Sequence, residues 1–376
     1  MNKIQHCAAY LATSGGGVKS YVDGLLDSLP DMYAPDLVTS FNDLDQSQYP
    51  LLHVHEGEML GGLKNQCPAV YTLHNHHPYC PSGSKYFPVQ GVVCDREISI
   101  LGCTWGHLID GCGSRRPKKI SSNFKRAYSA LDAIKRLGIT VIANSDYVRS
   151  QLIKNGISPS QVITLRCGIM APKSKHEPLT ESIHTQQHIL FAGRIVPEKG
   201  LDWLLKSMVR VDSQIHLDIA GEGWDLLRMQ NLAKDLKLHD RITWHGWCDG
   251  EKLEDLYRQS FAVVFPSVWP EPAGLISLES YARYRPIIAS AVGGIPEHVR
   301  DRQTGILVAP NHIEQLASAI ADLANDFERA RAIGITGNAW FQEEFTMTIH
   351  AERLRKVYNA EISRFNNSIS GAERRL

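Results

Sequence analysis

Short apolar runs alternate with stretches of helical periodicity along almost the whole chain. IQHCAAYLA (residues 4–12) reads as a buried first strand. In VKSYVDGLLDSL, Val18, Val22, Leu25, Leu26 and Leu29 recur at three- and four-residue spacing, which predicts an amphipathic helix. LLHVHEG and AVYTLHN are strand-like, and TVIANSDYVRSQLIKNGI predicts strand, turn and helix with Ser145 or Asp146 as the N-cap. QVITLRCGI closes this first block as another strand. Residues 171–188, APKSKHEPLTESIHTQQH, have no period and are rich in polar side chains. The alternation then restarts with HILFAGRI, IHLDIAGEG, RITWHGW, FAVVFPS and PIIASAVGG as strands between helical patterns, and a long tail helix ends the chain.

Strands alternating with helices of 10–15 residues predict parallel sheets with crossover helices. The expected architecture is α/β: two doubly wound, Rossmann-like domains facing a cleft. The boundaries predicted are 1–172 for the first domain, 173–187 for a linker and 188–357 for the second, with a helix over about 358–376 packing back on the first. In such sheets ligands bind at the carboxyl ends of the strands.

Composition narrows this modestly. Of 376 residues, 43% are hydrophobic and 21% charged, as in ordinary globular proteins, and the formal net charge is zero. The first 175 residues hold 18 Lys+Arg against 13 Asp+Glu, and the rest 22 against 27, so the halves differ in sign. No apolar run reaches the roughly 18 residues of a membrane span. The first residues lack a signal-peptide pattern, which predicts a cytoplasmic protein. Eight cysteines without a CxxC pair argue against a disulfide framework there.

TSGGGVKSY (residues 13–21) resembles a phosphate loop but fits neither standard form: Val18 precedes Lys19 where a P-loop has Gly, and Ser20 occupies the third glycine slot of a dinucleotide fingerprint. Following strand one, it is expected at the carboxyl edge of the sheet. There Gly16 and Gly17 would let backbone approach a phosphate, with the role of Lys19 left open.

The segment FPSVWPEPAGLISLESYARYRPIIASAVGGIPEHV (residues 265–299) carries most chemistry. A strand meets Pro270 and Pro272, and a helix begins near Gly274, whose missing side chain leaves room for a phosphate at the free N–H groups of the first turn, starting with Leu275. Glu271 and Glu279 flank that position and suit sugar hydroxyls rather than phosphate. Phosphate plus two polyol contacts describes a nucleotide-sugar.

These residues, with FAGRIVPEKGLDWLL (191–205), DIAGEG (218–223), ITWHGW (242–247) and TGILVAP (304–310), resemble the retaining glycosyltransferases of family four, which have the GT-B fold. The resemblance covers most of the C-terminal half. It implies that Glu271 contacts the donor sugar near its reacting carbon, that Glu279 holds the ribose hydroxyls, and that Arg194 and Lys199 bind the diphosphate. Two cations beside a helix N-terminus stabilise a departing diphosphate, so no metal or other cofactor is required. The Asp43-x-Asp45 pair reads as loop decoration. His74, after a predicted strand, is implied to lie near the reacting carbon, with His76 and His77 competing for the role.

Cys80, Cys94, Cys103 and Cys112 are spaced 14, 9 and 9 residues apart with His107 among them. Structural zinc sites supply a closer ligand pair, so an acceptor-side loop with free thiols, or with one redox-sensitive pair, is expected and the role of the thiols stays open. The stretch Arg115–Arg136, with Arg116, Lys118, Lys119, Lys125, Arg126 and Lys135 and the aromatics Phe124 and Tyr128, suits an anionic membrane surface or a polyprenyl diphosphate. Nothing else in the chain supports nucleic acid.

The resemblance implies a hexosyltransferase. It would move sugar from a UDP- or GDP-sugar to a hydroxyl of a glycan or polyprenyl-diphosphate-linked acceptor, in bacterial O-antigen, lipopolysaccharide or capsule synthesis, from the cytoplasm or the inner membrane face. A same-fold epimerase or phosphorylase, and a non-catalytic sugar-nucleotide-binding subunit, are the rivals.

Overall fold

The computed structural model describes residues 4–8, 16–29, 36–39, 43, 49–64 and 67–373, with side chains to 367. It divides into two units. One comprises residues 1–90, 94–170 and 345–376, and the other residues 91–93 and 171–344.

The first unit is built on six parallel strands: β1 (Ile4–Cys7), β2 (Asp36–Val38), β3 (Leu51–Val54), β4 (Ala69–Leu73), β5 (Thr140–Ala143) and β6 (Val162–Thr164). Their order is β2-β1-β3-β4-β5-β6. Every residue of β1, β3, β4 and β5 is buried. Helices cover both faces of such a sheet, which is why these strands read as unbroken apolar runs. Strand order reverses between β1 and β3, the place where a doubly wound sheet opens a crevice.

Helix α1 (Gly17–Ser28) faces inward through Tyr21, Val22, Gly24 and Leu25, while Val18 and Leu26 are half-buried. Residues 99–113, expected as a loop, instead hold α2 (Ile100–Trp105) and a wider π-helical turn over Gly106–Asp110. Helix α3 (Pro117–Leu137) carries the basic stretch, and α4 (Asp146–Lys154) is capped by Ser145, whose Oγ accepts from Val148 N at 3.2 Å.

The second unit repeats the plan with β7 (His188–Ala192), β8 (His216–Ala220), β9 (Ile242–Gly246), β10 (Ala262–Phe265), β11 (Ile287–Ser290) and β12 (Gly305–Val308) in the order β9-β8-β7-β10-β11-β12, again all parallel. Its switch point lies between β7 and β10. Helices α5 (Leu201–Met208) and α6 (Leu275–Ala282) start from the loops after β7 and β10.

Two boundaries differ from the sequence expectation. Residues 173–187 are part of the second unit and not a free linker. His176 Nε2 donates to Glu254 Oε2 at 2.6 Å, Leu179 is buried, and His184 Nε2 meets the Leu323 carbonyl at 2.8 Å. Burial works against the charge of Glu254, yet its bonds to His176 and Arg283 bring the carboxyl down to about 2. The chain also re-enters the first unit at Phe345, earlier than 358, on one continuous helix α7 (Met347–Glu373). Thr346 bridges Ile169, and Tyr358 OH reaches His53 Nδ1 at 2.6 Å. Among the described residues no helix is long and apolar enough to cross a membrane.

Candidate functional site

In the second unit the residues after β7 and β10 form one constellation. β7 ends at Ala192, and a 3-10 turn, Pro197–Lys199, precedes α5. The carbonyl of Glu198 accepts from Val268 N at 3.0 Å and Trp269 N at 3.1 Å, so this turn is stitched to the loop after β10. The stitching places Lys199 Nζ 2.5 Å from Glu271 Oε1, between the Phe265 and Trp269 rings at 5.7 and 5.6 Å. Ser267 Oγ lies 2.9 Å from the same carboxylate oxygen. Sequence reading missed Ser267; its signal was position, two residues past the end of a strand at the switch point.

Gly274 caps α6 with φ +70°, and an added Cβ would lie 3.0 Å from Ile295 Cγ1. Glycine is thus required by backbone conformation and internal packing, a reason separate from space for a phosphate. Leu275 opens the helix and is half-buried. Glu279, in the second turn, accepts from Tyr257 OH at 3.1 Å, and loss of hydration raises its carboxyl above the usual range. Arg194 is exposed and makes no side-chain hydrogen bond or ion pair among the described residues. The structure therefore joins Lys199 to Glu271 and leaves Arg194 apart.

Gly293, at φ +61°, is the shelf under this loop. A Cβ there would sit 2.5 Å from the Pro270 carbonyl carbon and 2.6 Å from Glu271 N, while Gly294 N donates to Glu271 O at 2.8 Å. Gly293→Ala should lower stability by at least about 1 kcal/mol through left-handed strain alone and displace Glu271. Thermal unfolding measures the first effect and a crystal structure of the variant the second, and a variant unchanged in either would refute the shelf.

The first unit offers a different chemistry. Gly16, at φ +87°, caps α1, and an added Cβ would meet nothing within 4 Å. Conformation, not crowding, requires glycine there. The helix starts at Gly17, with Lys19 paired to Asp23 on its surface. The remainder of residues 9–15 lies outside the described residues, as does Asp45, so the Asp43-x-Asp45 pair is not described as a whole.

His74, just past β4, joins a chain of imidazoles. Its Nε2 meets His55 Nδ1 at 3.1 Å, and His55 Nε2 meets His6 Nδ1 at 3.2 Å. The Tyr21 ring packs edge-on against His74 at 5.1 Å, and Tyr21 OH bonds His350 Nε2 at 2.7 Å. Burial holds His74 and His6 at about 3 and His350 at about 4, so these rings are neutral. Its competitors are committed elsewhere. His76 is fully buried with Nδ1 at 2.6 Å from Tyr79 OH, and His77 Nδ1 accepts from Arg126 Nη2 at 2.8 Å.

Cys80, Cys94, Cys103 and Cys112 line one small cavity with Lys85, Arg96 and His107. All are free thiols. Burial raises the Cys94 and Cys103 thiols and pushes Cys112 up to about 12. Arg115 and Arg116 before α3, and Lys118, Lys119, Lys125, Lys135 and Arg136 along it, are exposed.

Residues 173–340 match the family described as Glycosyl transferases group 1. The chain is 34% identical over 163 residues to the D-inositol 3-phosphate glycosyltransferase of Mycobacteroides abscessus, which covers 41% of this chain and 37% of that protein. It is 26% identical over 178 residues to the GDP-mannose-dependent alpha-(1-6)-phosphatidylinositol monomannoside mannosyltransferase of Mycolicibacterium smegmatis, covering 45% and 47%. The matches span less than half the length of these curated relatives. Among solved structures, Anabaena Alr3699/HepE in complex with UDP superposes with a TM-score of 0.73 at 15% identity, over 95% of this chain and 100% of that one. The fold is GT-B, two parallel-sheet α/β domains.

Proposed function

We propose that this protein is a retaining glycosyltransferase that moves a sugar from a nucleoside-diphosphate sugar to a hydroxyl of a glycan or lipid-linked acceptor. The observation that carries the proposal is the Lys199–Glu271–Ser267 network, held between the loops after β7 and β10. A charge pair positioned at the carboxyl ends of strands, beside the start of α6, offers a cation to a phosphate and a carboxylate to sugar hydroxyls. The family match over this unit supports the same reading.

In the proposed reaction Lys199 and Arg194, with the first N–H groups of α6 at Gly274 and Leu275, stabilise charge on the departing diphosphate. Glu271 accepts from donor-sugar hydroxyls near the reacting carbon, and Glu279 from the ribose. The departing phosphate takes the acceptor proton, and the acceptor attacks on the face the phosphate leaves, which retains configuration. Neutral His74 and the backbone at Gly16 and Gly17 are assigned to the donor from the first unit. A UDP- or GDP-sugar is the expected donor. A polyprenyl-linked glycan of a bacterial surface polysaccharide is the expected acceptor, met at an anionic membrane through Arg115–Arg136.

A panel of donors assayed for release of UDP, GDP or ADP tests this. One nucleotide should be released in an acceptor-dependent way, and Glu271→Gln should cut that release by at least about 100-fold, assayed at a temperature where circular dichroism shows the variant folded. Acceptor-independent conversion of a nucleotide-sugar would point instead to an epimerase.

A further inference from the structure

Helix α2 and the turn that continues it are inside out. Ile100, Leu101, Trp105, Leu108 and Ile109 are 65, 87, 57, 45 and 53% exposed. On the opposite side Gly106, His107 and Asp110 are buried. Asp110 accepts from Arg96 Nη1 at 2.6 Å and from Gln90 Nε2 at 3.0 Å, and His107 Nδ1 meets the Ser114 carbonyl at 3.1 Å. At about 100° per residue the five apolar side chains share one side of the helix. Val89, 70% exposed, lies beside Gly111 and extends the patch.

A solvated helix of a globular protein turns its apolar stripe inward. Here polar contacts fix the inner face, and the apolar face is left for something else. Contiguous exposed apolar surface rimmed by charge marks a docking site. The C-terminal flank is cationic: beyond residues 110–114 come Arg115, Arg116, Lys118 and Lys119, all exposed, followed by Lys125, while Asp95 and Glu97 are exposed on the N-terminal flank. His107 packs on Phe124, and Phe124 stacks on Tyr128, so the inner face of this segment adjoins α3, the helix that carries the basic stretch.

We propose that residues 100–109 insert into the interfacial region of an anionic membrane, with Arg115, Arg116, Lys118 and Lys119 engaging lipid phosphates around them. Apolar side chains including a Trp beside a basic cluster are what an interfacial element needs, and two signals together give stable attachment where one does not. The occupant is lipid because exposed cations follow the apolar face along the chain, Arg115, Arg116, Lys118 and Lys119, and because that face is convex, a helix side and not a groove. The proposal extends the lipid-linked-acceptor reading and stands separately from it.

Flotation of the full chain with phosphatidylglycerol–phosphatidylcholine vesicles, and with pure phosphatidylcholine vesicles, provides the test. Wild type should float with the anionic vesicles, weakly with neutral ones, and less at high salt. Leu101→Glu/Ile109→Glu should reduce flotation at least tenfold at every salt concentration. Lys118→Glu/Lys119→Glu should abolish the preference for anionic lipid. Both variants should keep the wild-type melting temperature, because the altered side chains are exposed. Wild type that does not float, or a Leu101→Glu/Ile109→Glu variant that floats like wild type, overturns the proposal. So does a dimer in size exclusion that this variant converts to monomer, which would assign the patch to a second copy of the chain. Nucleotide release with a water-soluble acceptor should be unchanged in Leu101→Glu/Ile109→Glu, so loss of transfer and loss of docking are read independently.

Discussion

Lys199→Ala should abolish transfer, lowering nucleotide release by at least about 10²-fold, the usual cost of removing one group aimed at developing negative charge. The same substitution should also destabilise the protein. Lys199 and Glu271 are 16 and 9% exposed at their side chains and lie 2.5 Å apart. Removing the cation leaves a carboxylate largely withdrawn from water, at a cost of about 3 kcal/mol for a well-buried pair. The double variant Lys199→Ala/Glu271→Gln separates the two effects. Neutralising the stranded carboxylate should restore most of the melting temperature while activity stays lost. If the double variant were as unstable as Lys199→Ala, the ion pair would not be what holds the two loops together. If Lys199→Ala retained near-normal turnover, the assignment of the leaving group to this lysine would fail.

Acid should unfold the first unit well before carboxylates titrate. Burial holds His6 at about 3 and His350 at about 4, and puts His53 and His55 well below their ordinary range, where neighbouring imidazoles lower them further. In the unfolded chain each titrates near 6.5. Between these values the unfolded state binds more protons, so stability is fully present above pH 6.5 and falls as pH drops below it. With folded values of about 3 and 4, His6 and His350 each remove about 2 kcal/mol by pH 5, and His53 and His55 act in the same direction, against a domain stability of about 5–15 kcal/mol. Urea midpoints should therefore be flat above pH 7 and collapse between about pH 6 and 5. A midpoint independent of pH down to 5 would mean that these rings are hydrated in solution.

Much of this was legible in the sequence, and the reasons differ by element. The strands were readable because parallel strands buried on both faces are continuous apolar runs, and the Glu271–Glu279 segment because its glycines and prolines fix a strand–turn–helix. The imidazole chain was not, since His6, His55 and His74 meet only through the order β1-β3-β4. Residues 173–187 looked like a linker because their partners, such as Glu254 for His176, lie far along the chain. Helix α2 escaped for another reason. Periodicity shows that a helix has an apolar face but not which way that face points, and here the cysteines drew the reading towards a loop.

The return of α7 to the first unit has a consequence for synthesis. The second unit, residues 171–344 apart from the short piece at 91–93, is complete before α7 has been made. The first unit is not: Tyr21 waits for His350, and His53 and Thr140 wait for Tyr358 and Glu361. A nascent chain leaving the ribosome therefore finishes the later domain first, reversing the usual amino-to-carboxyl order of domain folding. Until then the side of the first sheet that α7 covers exposes the buried polar rings described above, and released chains truncated after residue 344 should be protease-sensitive in the first unit and resistant in the second.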